Sequence, residues 1–301
     1  MTHIHKPYCD NLLLDCDAPI FEGPLFRAKR GGPMKKLKDL MSPNSEDAVT
    51  WSVFRMLERH FKAVPWVQGL LRVACGESIH VTCPEPSMCF WELGWPQDRR
   101  LLWLLDHSHE PRIAGSAGNG KDPKRIPNVK ANQAEYRQRV LSGKIRGRAA
   151  WILEGPTQFD VLIRCPGVLV AMEAKYTSDI DDHVRWDAGR DQIGRVIDVG
   201  LSVAQQEHRE LYFLLITDGK PHVLPLLYEQ LMPSYQSDLA FLAKRLPHRP
   251  SEELEGLQNH VGWISWRQIV DWLDQQHSSL DASQHQWLTR AQWYLQQRHL
   301  C

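Results

Sequence analysis

The sequence lacks an excess of charge of either sign, because 36 lysines and arginines balance 36 aspartates and glutamates over its 301 residues. A polyanionic partner can therefore be recognised only through a local distribution of charge. Hydrophobic residues make up 43% of the chain and include 12 tryptophans. This content predicts a sizeable buried core.

Paired cysteines and long apolar runs are also missing. The seven cysteines include no CxxC pair, which argues against a zinc ribbon or a redox motif and favours free thiols in a reducing cytosol over a disulfide framework. The N-terminus has no basic segment followed by an apolar run, and stretches such as 211–216 are too short to cross a bilayer. We therefore expect a cytoplasmic protein without membrane contact.

Composition divides the chain into three parts. Residues 1–40 form an irregular basic arm, and residues 41–247 form a core with a polar, basic insertion at about 106–149. Residues 251–301 form a tryptophan-rich helical segment, and its tryptophans are expected to lie in a core. Pro247 and Pro250 mark the boundary before this last part.

A helix is predicted to begin near Asn44 or Ser45, which are both good N-cap residues. From there, apolar or weakly polar residues recur at intervals of three and four, as expected for one buried helix face. The members of this stripe are Thr50, Val53, Phe54, Leu57 and Phe61. Glu46 lies on the N-terminal extension of the same stripe, where a carboxylate is unusual.

Two apolar segments at 159–164 and 168–175, joined by a short turn, predict a β-hairpin. Side chains alternate faces along a strand, so Glu173 and Lys175 point the same way. Because the strands are antiparallel, Asp160 near the start of the first strand meets both residues at the end of the second. The pattern then predicts a helix at 191–203, a buried strand at 211–216, and helical structure at 226–246 interrupted near Pro233.

Two carboxylates and an ammonium group at one end of a hairpin are costly to bury without a purpose. The neighbouring carboxylates repel each other, and a hard cation such as Mg²⁺ relieves this repulsion because it prefers oxygen ligands. Such an ion also activates water and neutralises charge on a phosphate, while a lysine can orient the water or stabilise the transition state. The pattern therefore indicates a metal-dependent site at Asp160, Glu173 and Lys175.

The stretch EGPTQFD, which ends at Asp160, and the stretch MEAK, which ends at Lys175, resemble the PD-(D/E)XK nuclease superfamily. The resemblance covers roughly residues 44–218, interrupted at 66–150. It departs from the motif at Phe159, which replaces proline at a position that varies in the family. It implies an α/β fold with a restriction-endonuclease-like core, which is a mixed central sheet flanked by helices. In such a core a helix precedes the hairpin, and a second helix and a further strand follow it.

The resemblance also implies the activity, which is that of a Mg²⁺-dependent endonuclease. Such an enzyme hydrolyses phosphodiester bonds of DNA in defence against foreign DNA or in repair, with Mn²⁺ as an alternative ion and RNA left open as a substrate. Asp160 and Glu173 would hold the metal, together with the carbonyl of Ala174. Lys175 would assist the attacking water.

Two further residues match positions that many members of the superfamily carry. Glu46, on the first helix, would bind the metal directly or through water, and Gln192, in the stretch RDQIGR, would orient Lys175 or the substrate. The competing interpretation of Glu46 is a first-turn acid favoured by the helix dipole. Gln192 and Arg195 can also be solvated helix positions, and we favour that interpretation for Arg195 over the alternative of a phosphate contact.

The basic insertion is predicted to contact the nucleic-acid backbone in a salt-sensitive manner, although a solvated loop is the competing interpretation. Ten basic residues oppose only two acidic residues between 111 and 148. The predicted contacts are Lys121, Lys124, Arg125, Lys130, Arg137, Arg139, Lys144, Arg146 and Arg148.

Two other functions are compatible with the sequence. One is a non-catalytic nucleic-acid-binding or scaffolding subunit that keeps the fold, and the intact catalytic set argues against it. The other is an effector nuclease that a partner protein activates, and homodimerisation is left open as well. His107 and His109 have no further ligands at a recognisable zinc spacing, so a zinc site is disfavoured. Base stacking by the C-terminal tryptophans is disfavoured too.

Overall fold

The computed structural model describes residues 12, 13, 40, 42, 45–107, 131–144, 153–176, 178–182, 187, 189–220, 222 and 224–300. The helices are α1 (Glu46–His60), α2 (Trp66–Cys75), α3 (Asp98–Asp106), α4 (Gln133–Leu141), α5 (Gln192–Gln206), α6 (Leu227–Ser237), α7 (Leu239–Arg245), α8 (Trp266–Gln275) and α9 (Ala282–Gln296). The strands are β1 (Ser87–Phe90), β2 (Leu93–Gly94), β3 (Thr157–Gln158), β4 (Val161–Cys165), β5 (Val168–Ala174), β6 (Glu210–Thr217) and β7 (Val261–Ser265). No helix in these ranges is both long enough and apolar enough to cross a membrane.

Five strands form a mixed central sheet in the order β1-β4-β5-β6-β7. β4 pairs antiparallel with both β1 and β5, whereas β6 pairs parallel with both β5 and β7. β2 and β3 form a separate two-stranded sheet. The predicted α/β class, with a mixed central sheet flanked by helices, is therefore confirmed.

Helices cover both faces of the central sheet. One core lies between the sheet and α1, α2, α8 and α9, and a second lies between the sheet and α5, α6 and α7. Alternate residues of β5 face the two cores, with Met172 in the first and Ala171 in the second. All seven residues of β5 are buried, as expected for a central strand with helices on both faces.

The first helix begins where the sequence predicts. Ser45 is the N-cap, and its side-chain oxygen accepts a hydrogen bond from the N–H of Ala48 at 3.1 Å. The predicted apolar stripe from Thr50 to Phe61 is buried, and α1 packs against α9. Glu46 is therefore fixed at the start of a helix that lies between the sheet and the C-terminal segment.

The strand β7 is not predicted by the sequence pattern. It pairs with β6, so residues 251–301 contribute a strand to the central sheet in addition to helices. A Cβ on Gly262 would lie 2.6 Å from Cδ2 of Leu214 and 2.7 Å from Cβ of Ala74. Glycine is needed here because α2 packs closely over the strand, and this glycine weakens the strand pattern in the sequence.

The predicted interruption at Pro233 is wrong. α6 runs through Pro233, and the helical segment breaks instead at Asp238. Met232 and Tyr235 are both buried, so packing holds the helix together across the missing N–H. The carboxylate of Asp238 accepts hydrogen bonds from two backbone N–H groups, at 2.9 and 3.0 Å, and so starts α7.

The expectation of free thiols is wrong for one pair, because Cys83 and Cys165 form a disulfide. The bond joins the segment before β1 to the end of β4, and the pairing of these strands brings the two cysteines together. Their separation of 82 residues explains why spacing rules do not reveal the bond. Cys75 and Cys89 are free thiols.

Candidate metal centre

The strand register brings the predicted acidic residues together. Val161 of β4 pairs with Met172 of β5, so Asp160 lies opposite Glu173 at the open end of the hairpin. Carboxylate oxygens of Glu46, Asp160 and Glu173 all lie within 4.8 Å of one another. The predicted convergence is therefore observed, and Glu46 joins it from the start of α1.

Lys175 lies in the same cluster. Its Nζ is 2.8 Å from Oε1 of Glu173 and 3.7 Å from Oε1 of Glu46. The backbone of Lys175 is fixed on both sides, because its N–H donates to the carbonyl of Ile216 at 2.7 Å and its carbonyl accepts from Nε1 of Trp266 at 3.2 Å. These bonds hold a buried ammonium group at the carboxyl end of the parallel strands.

Asp160 and Glu46 are each held through one carboxylate oxygen. Oδ2 of Asp160 accepts a hydrogen bond from the N–H of Ala174 at 2.8 Å. Oε2 of Glu46 accepts from the N–H of Tyr176 at 3.0 Å and from the hydroxyl of Ser178 at 3.1 Å. The interpretation of Glu46 as only a first-turn acid does not account for these contacts.

Gln192 reaches the site through Glu173 rather than through Lys175. Its amide nitrogen donates to Oε1 of Glu173, the oxygen that also accepts from Lys175. Its amide oxygen accepts from the N–H of Asp181 at 3.2 Å. Gln192 is therefore not a solvated helix position, and its direct contact is with a carboxylate instead of the lysine.

The second oxygen of each carboxylate lies outside the hydrogen bonds described above. Among the residues that the structure describes, Oδ1 of Asp160 and Oε2 of Glu173 accept no hydrogen bond, and Oε1 of Glu46 contacts only Lys175. Three carboxylates and one ammonium group leave two negative charges uncompensated among these four side chains. Oxygen ligands with this charge fit a hard divalent cation.

The pKa shifts of Asp160 and Glu173 are consistent with a site for a cation. Burial raises the pKa of Asp160 well above its usual range, and the charges on Glu173 and Glu46 raise it further. Burial also raises the pKa of Glu173, although Lys175 opposes this shift. Both carboxylates are therefore destabilised in their charged form, and a bound cation would reverse that effect.

Lys175 is held in its charged form. Burial lowers the pKa of Lys175, but the carboxylates of Glu173 and Glu46 raise it by more, so the pKa lies above its ordinary value. The side chain is therefore an ammonium group at neutral pH. It can donate hydrogen bonds to a substrate or to water, but it cannot accept a proton.

The favoured interpretation of Arg195 as a solvated residue is wrong. Its Nε donates to the hydroxyl of Thr157 at 2.9 Å, and its Nη2 donates to the carbonyl of Pro156. The guanidinium group thus ties α5 to the segment that leads into Asp160. The sequence carries no signal for this contact, since its partners are far apart in the chain.

A cluster of buried charges extends from the same segment, and sequence reasoning missed it. Arg190 lies 3.0 Å from Glu154 and 2.8 Å from Asp198, while Arg100 lies 2.8 Å from Glu154 and 3.0 Å from Asp187. Burial raises the pKa of Asp198, but Arg190 and its other partners lower it by more, to well below its ordinary value. The cluster joins α3 and α5 to the segment before the hairpin.

Only part of the predicted nucleic-acid contact surface is described. On α4, Arg137 pairs with Asp106 and Arg139 pairs with Glu135, and all four side chains are exposed. Lys144 is exposed as well. The predicted contacts that lie outside the described residues are Lys121, Lys124, Arg125, Lys130, Arg146 and Arg148.

The structure describes one of the two histidines considered for zinc, and it buries some C-terminal tryptophans but not all of them. His107 stacks on Trp103 at 4.1 Å between ring centroids, whereas His109 lies outside the described residues. Trp266 is fully buried, as expected for a core residue. Trp293 is 61% exposed, so the expectation of a core position is wrong for this residue, which lies on the outer face of α9.

No protein-family model matches the chain, and comparisons with curated proteins and with solved structures give no match either. The resemblance to the PD-(D/E)XK superfamily therefore stays a prediction, and the local geometry of the cluster is the basis for a functional argument.

Proposed function

We propose that the chain is a metal-dependent nuclease that hydrolyses phosphodiester bonds of DNA on a restriction-endonuclease-like core. The observation that carries this proposal is the convergence of Glu46, Asp160 and Glu173 within 4.8 Å, beside the ammonium group of Lys175. The order α1, β4, β5, α5 and β6 along the chain supports the fold assignment. It is the order of helix, hairpin, helix and strand that the resemblance implies.

Asp160, Glu173 and Glu46 would hold the cation, with the carbonyl of Ala174 as a further ligand. Mg²⁺, or alternatively Mn²⁺, supplies charge neutralisation at the phosphate and a more acidic water when bound. Each of the three side chains is already fixed through one oxygen, so little conformational entropy remains to be lost on binding.

Lys175 would act as a hydrogen-bond donor. Because its ammonium group stays protonated, it would orient the attacking water or stabilise negative charge on a phosphate oxygen. Gln192 would keep Oε1 of Glu173 in place, so that the remaining oxygen of this carboxylate faces the metal. Lys175 would thus act on water or phosphate and Gln192 on the carboxylate of Glu173, so substitutions of the two residues should not have the same effect.

The proposal of a nucleic acid as substrate rests on the basic insertion. The arginines of α4 are in exposed ion pairs, which are typically worth about 0–1 kcal/mol, so a phosphate can compete for them. Backbone-directed binding of this kind weakens as salt increases. Defence against foreign DNA and repair both remain proposals for the biological role.

Purified protein should be incubated with plasmid, linear duplex and single-stranded DNA and with RNA, in Mg²⁺, Mn²⁺ or EDTA. We expect cleavage of DNA with either metal ion and none in EDTA. Lys175→Ala is expected to reduce cleavage by at least about 100-fold, since it removes a donor aimed at developing charge. Lys62→Ala, which removes an exposed lysine two residues after the end of α1, is the matched control.

Cleavage at the wild-type rate by Lys175→Ala, or in EDTA, would contradict this mechanism. Binding of nucleic acid without cleavage under every condition would favour the non-catalytic subunit. Cleavage that requires an added partner protein would favour the effector nuclease.

A further inference from the structure

The loop that follows Lys175 contacts both accessory residues of the site. We call residue 176 and residues 178–181 the anchor loop. The N–H of Tyr176 and the hydroxyl of Ser178 donate to the same oxygen of Glu46, at 3.0 and 3.1 Å. Two donors from one loop therefore fix the orientation of a carboxylate that comes from α1.

The other end of the anchor loop orients Gln192. The N–H of Asp181 donates to the amide oxygen of Gln192 at 3.2 Å, which leaves the amide nitrogen directed at Glu173. One short segment thus sets the direction of a side chain from α1 and of a side chain from α5. These two helices lie on opposite faces of the sheet.

Asp179 fastens the middle of the anchor loop to α6. Its carboxylate accepts hydrogen bonds from the N–H of Leu227 at 2.6 Å and from the N–H of Tyr228 at 3.3 Å, at the first turn of that helix. A carboxylate at this end of a helix is also favoured by the helix dipole. The loop is held a second time by the hydroxyl of Tyr176, which donates to the carbonyl of Arg298 at 2.8 Å.

We propose that Ser178 and Asp179 are positioning residues of the metal centre, which hold Glu46 and Gln192 in the orientation that the cation requires. Ser178 acts directly on Glu46. Asp179 acts through the loop. It sets the distance between the anchor loop and the carboxyl end of the strands, where Glu173 and Lys175 lie. This inference rests on the proposed metal-dependent function and assigns two more residues to the same site.

Metal affinity is the property to measure, by calorimetric titration of the purified protein with MgCl₂ and MnCl₂. Ser178→Ala and Asp179→Ala are each expected to weaken binding by about fivefold to tenfold, because each removes a hydrogen bond to or from a charged group. Ser178→Thr keeps the hydroxyl and is expected to restore wild-type affinity.

Asp238→Ala is the matched control. It also removes a carboxylate that accepts two backbone N–H groups at the start of a helix, but this helix is α7. Its melting temperature should fall as that of Asp179→Ala does, while its metal affinity should stay within about twofold of wild type.

Wild-type affinity in Ser178→Ala and Asp179→Ala would overturn the proposal, as would an equal loss of affinity in Asp238→Ala. A wild-type protein that binds neither ion would overturn it too. Loss of affinity in the two variants, in a wild-type protein that binds metal but cleaves no nucleic acid, would support the positioning role and refute the nuclease proposal.

Discussion

The substitution Asp160→Asn is expected to stabilise the metal-free protein while it removes metal binding. Oxygens of Asp160, Glu173 and Glu46 lie within 4.8 Å of one another. At that separation and an effective dielectric constant of about 20, two like charges repel by about 3.5 kcal/mol. Lys175 offsets part of the repulsion, and asparagine is a weaker acceptor for the N–H of Ala174. The net gain should be about 1–3 kcal/mol, or roughly 2–5 °C in melting temperature.

Thermal unfolding in EDTA and in saturating MgCl₂ tests this expectation. In EDTA the variant should melt above the wild type. In MgCl₂ the order should reverse, because the wild type gains about 4.1 kcal/mol when the free ion is at about 1,000 times its dissociation constant and the variant gains nothing. Such a crossing identifies Asp160 as a metal ligand, since a purely structural carboxylate would give one order in both buffers.

The same variant predicts a pH dependence in EDTA. The pKa of Asp160 is raised in the folded state, first by burial and then by Glu173 and Glu46. Its contribution to stability is therefore fully present below the ordinary carboxyl pKa and is lost as pH rises through the raised value. The advantage of Asp160→Asn over the wild type should grow over that interval.

A variant that melts below the wild type in EDTA would refute the reasoning about repulsion. A variant that keeps the full response to MgCl₂ would refute the assignment of Asp160 as a metal ligand.

Two further predictions concern the scaffold. Gly262→Ala should destabilise the protein by about 1–3 kcal/mol in denaturant unfolding, because the added Cβ would lie 2.6 Å from Leu214. Unchanged stability would mean that α2 and β7 are less closely packed than described. Asp198→Asn should cost about 3–5 kcal/mol in the same assay, because it leaves Arg190 without one of its buried partners. Asp271→Asn, at an exposed ion pair with Arg267, is the control and should change stability by less than about 1 kcal/mol. Equal losses of stability in Asp198→Asn and Asp271→Asn would contradict the argument that burial makes the ion pair of Asp198 more important.

The centre of the site could be predicted from the sequence because its geometry is local. Asp160, Glu173 and Lys175 lie at the open end of one hairpin, within or next to its two strands, and alternation along a strand determines which side chains share a face. Glu46 was identifiable by its place on an apolar stripe. The contacts of Glu46 with the anchor loop could not be predicted, since no periodic pattern reports a hydrogen bond between residues 130 positions apart.

The remaining features depend on packing between distant segments. Arg195 and the buried cluster around Arg190 are charged residues that composition assigns to the surface. Arg195 is held by Thr157 and the carbonyl of Pro156, whereas Arg190 is held by opposite charges from other elements. β7 is a short strand interrupted by Gly262, and Pro233 is a helix breaker that packing overrules. In each case, tertiary contacts outweigh local preference.

The late position of β7 in the chain also has a consequence for the pairing of β6. β6 ends at Thr217, whereas its outer neighbour begins only at Val261. During synthesis, β6 is therefore an edge strand, with an apolar surface and unpaired backbone groups, until that later segment is available. Strands in this condition tend to pair with other chains. The stretch that contains Pro247 and Pro250 thus leads to a strand of the same sheet, and a fragment that stops there would leave β6, near the candidate metal centre, unpaired on its outer side.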